Sequence, residues 1–311
     1  MRAGGAGADA RAARKGRKIA AGAACPAGRK GPAGRRGKEG GQGRRNASGK
    51  GREEEKIKQY LVDNILEMIN AVIRNAEIPV FVIEEIGIGI PGIVENNIIK
   101  KCDKYKIKDW DLAKIIEEHY SIPVKLENDA VCAAKAEKEY GNLKDDKDAV
   151  FICIGTGIGS AIIKNGEIYA SEIGHMIIEK GGRECNCKNK GCFETYSSMK
   201  VFKKELIEIL GINQNATSKE ILETLIKNKE NEKIDEYINR YTETLCIGLA
   251  NIINILKPRK ICIGGGFTYF EDILYKRLLE KIQLISYRFE KPQIVLAKLQ
   301  NDAGIIGAVP N

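Results

Sequence analysis

Three observations predict an α/β fold for this chain of 311 residues. Short apolar runs suited to buried strands alternate with segments of helical periodicity from Glu53 to the C-terminus. Several of those runs end in glycine-bearing turns, at Pro91-Gly92, Gly155–Gly159 and Gly264–Gly266. A hydrophobic fraction of 43% supplies apolar surface for a core, and the length suits two ordinary domains.

Taken in order, residues 1–52 stand apart. Gly, Ala, Arg and Lys fill 42 of those 52 positions, with a single Ile, which is too little apolar surface to offset the entropy of ordering. This stretch is expected to be a disordered basic tail. The abrupt change from residues with GC-rich codons to Ile, Lys and Asn further suggests that it is foreign to the gene. Residues 53–76 read as an amphipathic helix, with Ile57, Leu61, Ile65, Met68, Ile69 and Val72 at helical spacing and Glu53–Glu55 in the first turn. A buried strand follows over 85–94, a helix over 109–120, a strand over 122–127 and a helix over 130–140. Residues 148–170 read as a hairpin and 171–198 as irregular. Helices dominate 199–256, a strand covers 260–264, a helix about 270–285, a strand 293–298, and a short Gly/Ala-rich helix ends the chain.

Charge narrows the function classes. The formal net charge is +9, but residues 1–52 hold 15 Lys/Arg against 2 Asp/Glu, whereas the remainder holds 36 basic and 40 acidic residues. The body is therefore mildly acidic, and a nucleic-acid partner is not expected. No run approaches the roughly 18–20 apolar residues of a membrane span, and residues 19–27 are too short and weak for a secretory signal. Nine cysteines, an odd number with three clustered, suit a reducing cytoplasm and one metal site better than a disulfide framework.

The strongest chemical signal is His175 followed by Cys185-x-Cys187-x4-Cys192. One imidazole and three thiolates make a closed tetrahedral set for structural Zn2+. With Glu172-Ile-Gly-His175 before it and Phe193-Glu194 after it, the cluster resembles the signature of ROK family sugar kinases. Gly89-Ile-Pro91-Gly92 is similar to that family's first sugar loop, Glu127-Asn128-Asp129-Ala130 to its catalytic motif, and Gly155-Thr156-Gly157-Ile158-Gly159 to its second phosphate loop. Gly264-Gly265-Gly266 resembles its adenosine loop and Asp302-Ala303-Gly304 the start of its C-terminal helix. The resemblance covers about residues 53–311.

It implies an actin/hexokinase-like (ribonuclease H-like) two-domain ATPase fold. Residues 53–128 with about 299–311 would form the small domain, and 129–298 the large domain with a zinc loop over 175–194. It also implies transfer of phosphate from ATP, with Mg2+, to the 6-hydroxyl of a hexose, glucose first among them. Fructose, mannose and N-acylhexosamines fit the same motifs. Asp129 becomes the general base, since phosphoryl transfer needs a carboxylate to orient the attacking hydroxyl and accept its proton. Gly92, Asn128, Asp129, Glu172, His175 and Glu194 would bind the sugar; Gly155, Thr156, Gly157, Gly159 and Gly264–Gly266 would bind ATP. A homodimer is implied by the family alone.

Gly87-x-Gly89-x-x-Gly92 also fits a dinucleotide pattern, but Pro91 and the following residues do not open the helix that pattern needs. The chain departs from the family in one place. Members open on a strand with Asp-x-Gly-Gly-Thr and two further strands, which cradle the outer phosphates of ATP; residues 1–52 contain one Asp, Asp9, and no Thr. The small domain is accordingly expected to be incomplete, with an unpaired strand edge, and the kinase activity of this chain to be impaired. The other readings are a sugar-responsive transcriptional repressor of the same family and a catalytically silent sugar-binding remnant. The tail lacks the apolar periodicity of a recognition-helix pair, which disfavours the repressor.

Overall fold

The computed structural model describes residues 14–15, 18–22, 47–285 and 290–309. It divides into two compact units, Met1–Cys132 with Gly304–Asn311, and Ala133–Ala303.

The first unit contains β1 (Arg14–Lys15), β2 (Lys18–Gly22), α1 (Ala47–Ala76), β3 (Glu85–Ile90), β4 (Ile93–Glu95), β5 (Ile98–Cys102), β6 (Ile107–Trp110), α2 (Leu112–Tyr120) and β7 (Val124–Asn128). Its main sheet has the order β1-β2-β3-β7, with β2, β3 and β7 parallel. Every residue of β3 is buried, as a central strand of a parallel sheet requires. Ile65, Ile69 and Val72 of α1 and Leu112 and Ile116 of α2 join Ile86 and Ile88 in one apolar core. A second, antiparallel sheet has the order β4-β5-β6. The chain then enters α3 (Asp129–Tyr140), and α9 (Ala303–Ala308) returns near the C-terminus.

Two sequence expectations need correction here. The tail is not disordered throughout: Lys18–Gly22 forms a strand in parallel register with β3, pairing Ile19 with Ile86 and Ala21 with Ile88. The edge of β3 expected to be unpaired is therefore covered. Ile19 and Ala20 are buried, and Lys18 pairs with the Glu85 carboxylate at 3.4 Å, beside a 2.6 Å contact from Lys125 to the same group. One isoleucine among small residues is enough because β3 already presents the apolar surface that the strand completes. At the other end of the expected tail, α1 begins at Ala47 rather than Glu53, so residues 47–52 are helical; residues 1–13, 16–17 and 23–46 lie outside the described residues. The other correction concerns 93–110: the sequence predicts a strand ending at Val94, no element over 95–108 and a helix from Asp109, whereas three strands β4–β6 stand there and α2 begins at Leu112.

Two of the three glycines of the apparent dinucleotide pattern have packing reasons. A Cβ on Gly87 would lie 2.0 Å from the Ala308 carbonyl oxygen, and one on Gly92, whose φ is 154°, would lie 2.4 Å from the Lys101 carbonyl oxygen. Close backbone approach explains both without a nucleotide.

The second unit is built on a sheet of order β10-β9-β8-β11-β12, comprising β8 (Ala149–Ile154), β9 (Ile158–Lys164), β10 (Glu167–Ser171), β11 (Lys260–Gly264) and β12 (Gln293–Leu296). β8, β11 and β12 run parallel, and β9 and β10 antiparallel. Helices α4 (Glu194–Ser197), α5 (Met199–Leu210), α6 (Ser218–Lys227), α7 (Glu232–Leu256) and α8 (Glu271–Leu284) complete it. Phe202, Leu245, Leu249, Ile261 and Phe270 lie at the centre of its core. Among the described residues no helix is long and apolar enough to cross a membrane.

Candidate functional site

In the second unit the predicted metal residues converge. The ligand atoms of His175, Cys185, Cys187 and Cys192 all lie within 4.8 Å of one another. The loop that gathers them is held by its own backbone. Ile178 N–H donates to the Gly191 carbonyl, Gly191 N–H to Arg183, Cys185 N–H to Asn189 and Phe193 N–H to Met176. Gly191 has φ 84°, and a Cβ there would collide with the Glu179 carbonyl, so only glycine fits. His175 ends a 3-10 turn, Ile173–His175. Its Nδ1 faces the Cys185 sulfur at 3.5 Å, and its Nε2 lies 3.6 Å from Glu172 Oε2.

Glu194 opens α4, two residues after Cys192. Its Oε1 accepts from the Cys185 thiol at 3.2 Å and lies 3.8 Å from His175 Nδ1. Glu172, His175 and Glu194 thus surround one edge of the cysteine cluster, with Glu172 the most exposed of the three. The thiols resist ionising together. Burial holds Cys185 well above the ordinary thiol range, and burial followed by the Cys187 thiol raises Cys192. At Cys187 burial acts upward too, but hydrogen bonds from the Asn189 backbone and the neighbouring thiols outweigh it and leave the group lowered. A divalent cation would relieve this conflict by stabilising three thiolates at once.

The two glycine turns of this unit also meet. Gly155 N–H donates to the Gly157 carbonyl, and the Gly155 carbonyl accepts from Met199 N–H at 2.9 Å, which seats the turn on the first residue of α5. Gly265, φ 77°, passes so near that a Cβ would lie 2.7 Å from the Ile154 carbonyl oxygen. Gly159 stands in β9 opposite Cys153, and Thr156 is exposed at the tip. Gly264 and Cys153 are partners at the C-terminal ends of parallel strands, the end at which open α/β sheets bind ligands. Gly157 adds a link to the first cluster, since a Cβ there would lie 2.6 Å from Glu194 Oε2.

The remaining predicted residues belong to the first unit. Asn128 ends β7, and its Oδ1 accepts from the N–H groups of Ala130 and Val131 at 2.9 and 3.1 Å, so it caps α3. Its Nδ2 donates to the Gly92 carbonyl at 2.9 Å, which ties the Pro91-Gly92 turn to the same helix start. Asp129 is the first residue of α3 and is exposed; its Oδ1 accepts from Ala130 N–H at 2.9 Å.

Sequence reasoning missed Gly248. It lies inside α7 against the fully buried Phe193, where a Cβ would come 2.3 Å from the ring. The available signal was a glycine in the middle of an apolar helix, which costs helix stability unless packing requires it. Among the described residues all eight cysteines are free thiols.

The chain is 31% identical to the glucokinase of Halalkalibacterium halodurans over 245 residues, 71% of this chain and 74% of that one. It is 26% identical to the xylose repressor of Caldicellulosiruptor bescii over 278 residues, 83% of this chain and 69% of the repressor. In fold it resembles the ROK family glucokinase from Streptomyces griseus, solved in complex with glucose and AMPPNP. The TM-score is 0.68 at 22% identity, over 80% of this chain and 86% of that one. The characteristic pattern of the ROK family matches residues 43–310, so the chain belongs to the ROK family.

Proposed function

We propose that this chain is an ATP-dependent hexose kinase with glucose as the leading acceptor. The observation that carries the reading is Asp129, a carboxylate exposed on the first turn of α3 whose backbone is fixed by the Asn128 cap. A base so placed can accept the proton of an attacking hydroxyl. The Asn128 oxygen is already used twice by the helix and one amide N–H by Gly92, which leaves its second N–H for a sugar hydroxyl. Gly92 would present backbone to the sugar. Glu172, Glu194 and the Nε2 edge of His175 supply further hydroxyl partners, and two carboxylates with an imidazole suit a neutral polyol. Gly155, Thr156, Gly157 and Gly159 would receive the phosphates of Mg-ATP, and Gly264–Gly266 the adenosine.

Zinc fits the donor set. Four ligands at about 2.0–2.3 Å in a tetrahedron require donor atoms about 3.3–3.8 Å apart, and the Cys187 and Cys192 sulfurs are 3.5 Å apart. Cys185, Cys187, Cys192 and His175 Nδ1 would hold the ion, which leaves no open position for chemistry. The ion's contribution is to fix the loop that carries Glu194.

The relationship to a xylose repressor supports a second reading, sugar-responsive control of transcription. The kinase reading is preferred because the Asn128 cap fixes Asp129 at the start of α3. A DNA mobility-shift assay on the full chain at several salt concentrations, run beside a coupled ADP-release assay with glucose and Mg-ATP, separates the two.

The chain has no Asp-x-Gly-Gly-Thr, and we place its turnover below that of a kinase possessing one, because phosphate positioning supplies much of the rate. The residues assigned to the hexose all lie at Gly92 or beyond, outside that segment. Calorimetry is expected to register glucose binding in both the parent and Asp129→Asn. A coupled ADP-release assay should find the Asp129→Asn rate lower by about 10²–10⁴-fold. Equal rates would remove Asp129 from the chemistry. Failure to bind glucose, mannose, fructose and N-acetylglucosamine alike would overturn the sugar reading.

A further inference from the structure

The cysteine loop and the start of α4 are tied together by one side chain that no motif includes. Both backbone polar groups and both terminal guanidinium nitrogens of Arg183 are engaged. Its backbone N–H donates to the Tyr196 hydroxyl at 2.7 Å, and its carbonyl accepts from Gly191 N–H at 2.8 Å. One guanidinium nitrogen donates to the Thr195 carbonyl at 3.0 Å. The other meets Glu205 Oε1 at 2.8 Å. The guanidinium also lies 4.7 Å from the centre of the Tyr196 ring, within cation–π range. Gly182, just before it, has no room for a side chain, because a Cβ would lie 2.0 Å from the Tyr196 hydroxyl.

Glu205, on α5, serves two cations. Its second oxygen lies 3.5 Å from Arg240 on α7, and its side chain is 22% exposed against 46% for Arg183. Exposed ion pairs contribute little. This one differs in that its arginine is also held by a carbonyl, a hydroxyl and a ring, so its geometry is already fixed. The sequence positions matter as much. Arg183 lies two residues before Cys185, while Thr195 and Tyr196 immediately follow Glu194. The clamp therefore ties the loop to the helix next to both Cys185 and Glu194, whose sulfur and carboxylate lie 3.2 Å apart.

We infer that Arg183 and Glu205 are positioning residues of the sugar site: through the clamp they hold Glu194 and the ligand loop in one geometry, without touching substrate. The inference rests on the hexose-kinase reading for its sugar term and on the Cys3His loop for its metal term. Two readouts separate these. Chelator-driven zinc release, followed with a colorimetric zinc indicator, reports the loop. Glucose affinity, by calorimetry on the zinc-loaded chain, reports Glu194.

Glu205→Gln should release zinc about ten- to a hundredfold faster than the parent, the scale at which outer partners of a metal site act. It should also weaken glucose binding about tenfold and raise KM for glucose with kcat within about twofold. The charge-swapped pair Arg183→Glu with Glu205→Arg restores an ion pair but not the Thr195 and Tyr196 contacts, so it should recover only part of both losses. Arg183→Lys, with one charge and no fork, should resemble Glu205→Gln. A Glu205→Gln protein with parental ellipticity, zinc release and glucose affinity would overturn the inference. A parent that binds zinc but no hexose would defeat the kinase reading and leave zinc release to judge the clamp. A parent that takes up no zinc would defeat the clamp as stated.

Discussion

At the scale of single residues, the second unit separates glycines needed for packing from a glycine with open space. Gly248 faces the Phe193 ring at 2.3 Å from a notional Cβ, whereas nothing lies within 4 Å of one on Gly155. Gly248→Ala must move Phe193, which is fully buried and sits between Cys192 and Glu194. Overpacking of this kind costs about 1–3 kcal/mol, so urea denaturation should find Gly248→Ala destabilised by that amount, with weaker glucose binding as a consequence. Gly155→Ala should keep the parental stability or gain slightly, while KM for ATP rises if the turn receives phosphate. Equal urea midpoints for Gly248→Ala and the parent would show that Phe193 has room to yield. The comparison also shows what was legible. His175, Cys185, Cys187 and Cys192 could be read directly because their chemistry is local and their spacing short. Gly248, Arg183 and Glu205 could not, because each acquires its role only when segments far apart in sequence are packed together.

At the scale of elements, legibility followed apolar density. β3 and β8 are nearly continuous apolar runs bounded by turns and α1 repeats its apolar residues at helical spacing, so these three were evident, and α7 fell within the stretch 199–256 read as mainly helical without its own bounds. The strands β4–β6 were not evident, because they are only three to five residues long and each breaks its apolar run with Glu, Lys or Asp. Their turns use non-glycine residues with positive φ at Asn96, Asn97 and Lys106, which gives little compositional warning. β10 was hidden in the same way by its mostly exposed face. β2 was missed for a different reason. A composition rich in Gly and Ala argues correctly that the tail cannot form a core of its own, but not that five of its residues cannot join one that exists. Ile19 is 2% exposed and pairs with Ile86. Ile19→Ala should therefore destabilise the first unit by about 2–5 kcal/mol, read as a lower urea midpoint in the emission of Trp110, the sole tryptophan. An unchanged midpoint would place β2 outside the cooperative sheet.

At the scale of the whole molecule, the order of the motifs along the chain made the family legible, since Gly89–Gly92, Asn128-Asp129, Gly155–Gly159, the cysteine loop and Gly264–Gly266 follow one another with strands and helices between them. The division into units then makes a prediction about the metal. All four candidate ligands lie in Ala133–Ala303. Trp110 lies in the first unit, 7% exposed and packed in that unit's own apolar core. An ion that binds the folded loop and not the unfolded chain stabilises by about 4 kcal/mol when its free concentration is about a thousand times Kd. Its three cysteine ligands must be thiolates, and the raised Cys185 and Cys192 groups favour protonation once the cation has gone. Stripping zinc with a strong chelator should therefore lower the urea midpoint followed by far-ultraviolet ellipticity, to which the helices of the second unit contribute heavily. The midpoint followed by Trp110 emission should stay where it was, and restoring zinc should return the ellipticity midpoint. If both probes shift together, the ion's stabilisation extends beyond the unit that binds it; if neither shifts, the loop is held by its backbone bonds alone and the ion is not structural.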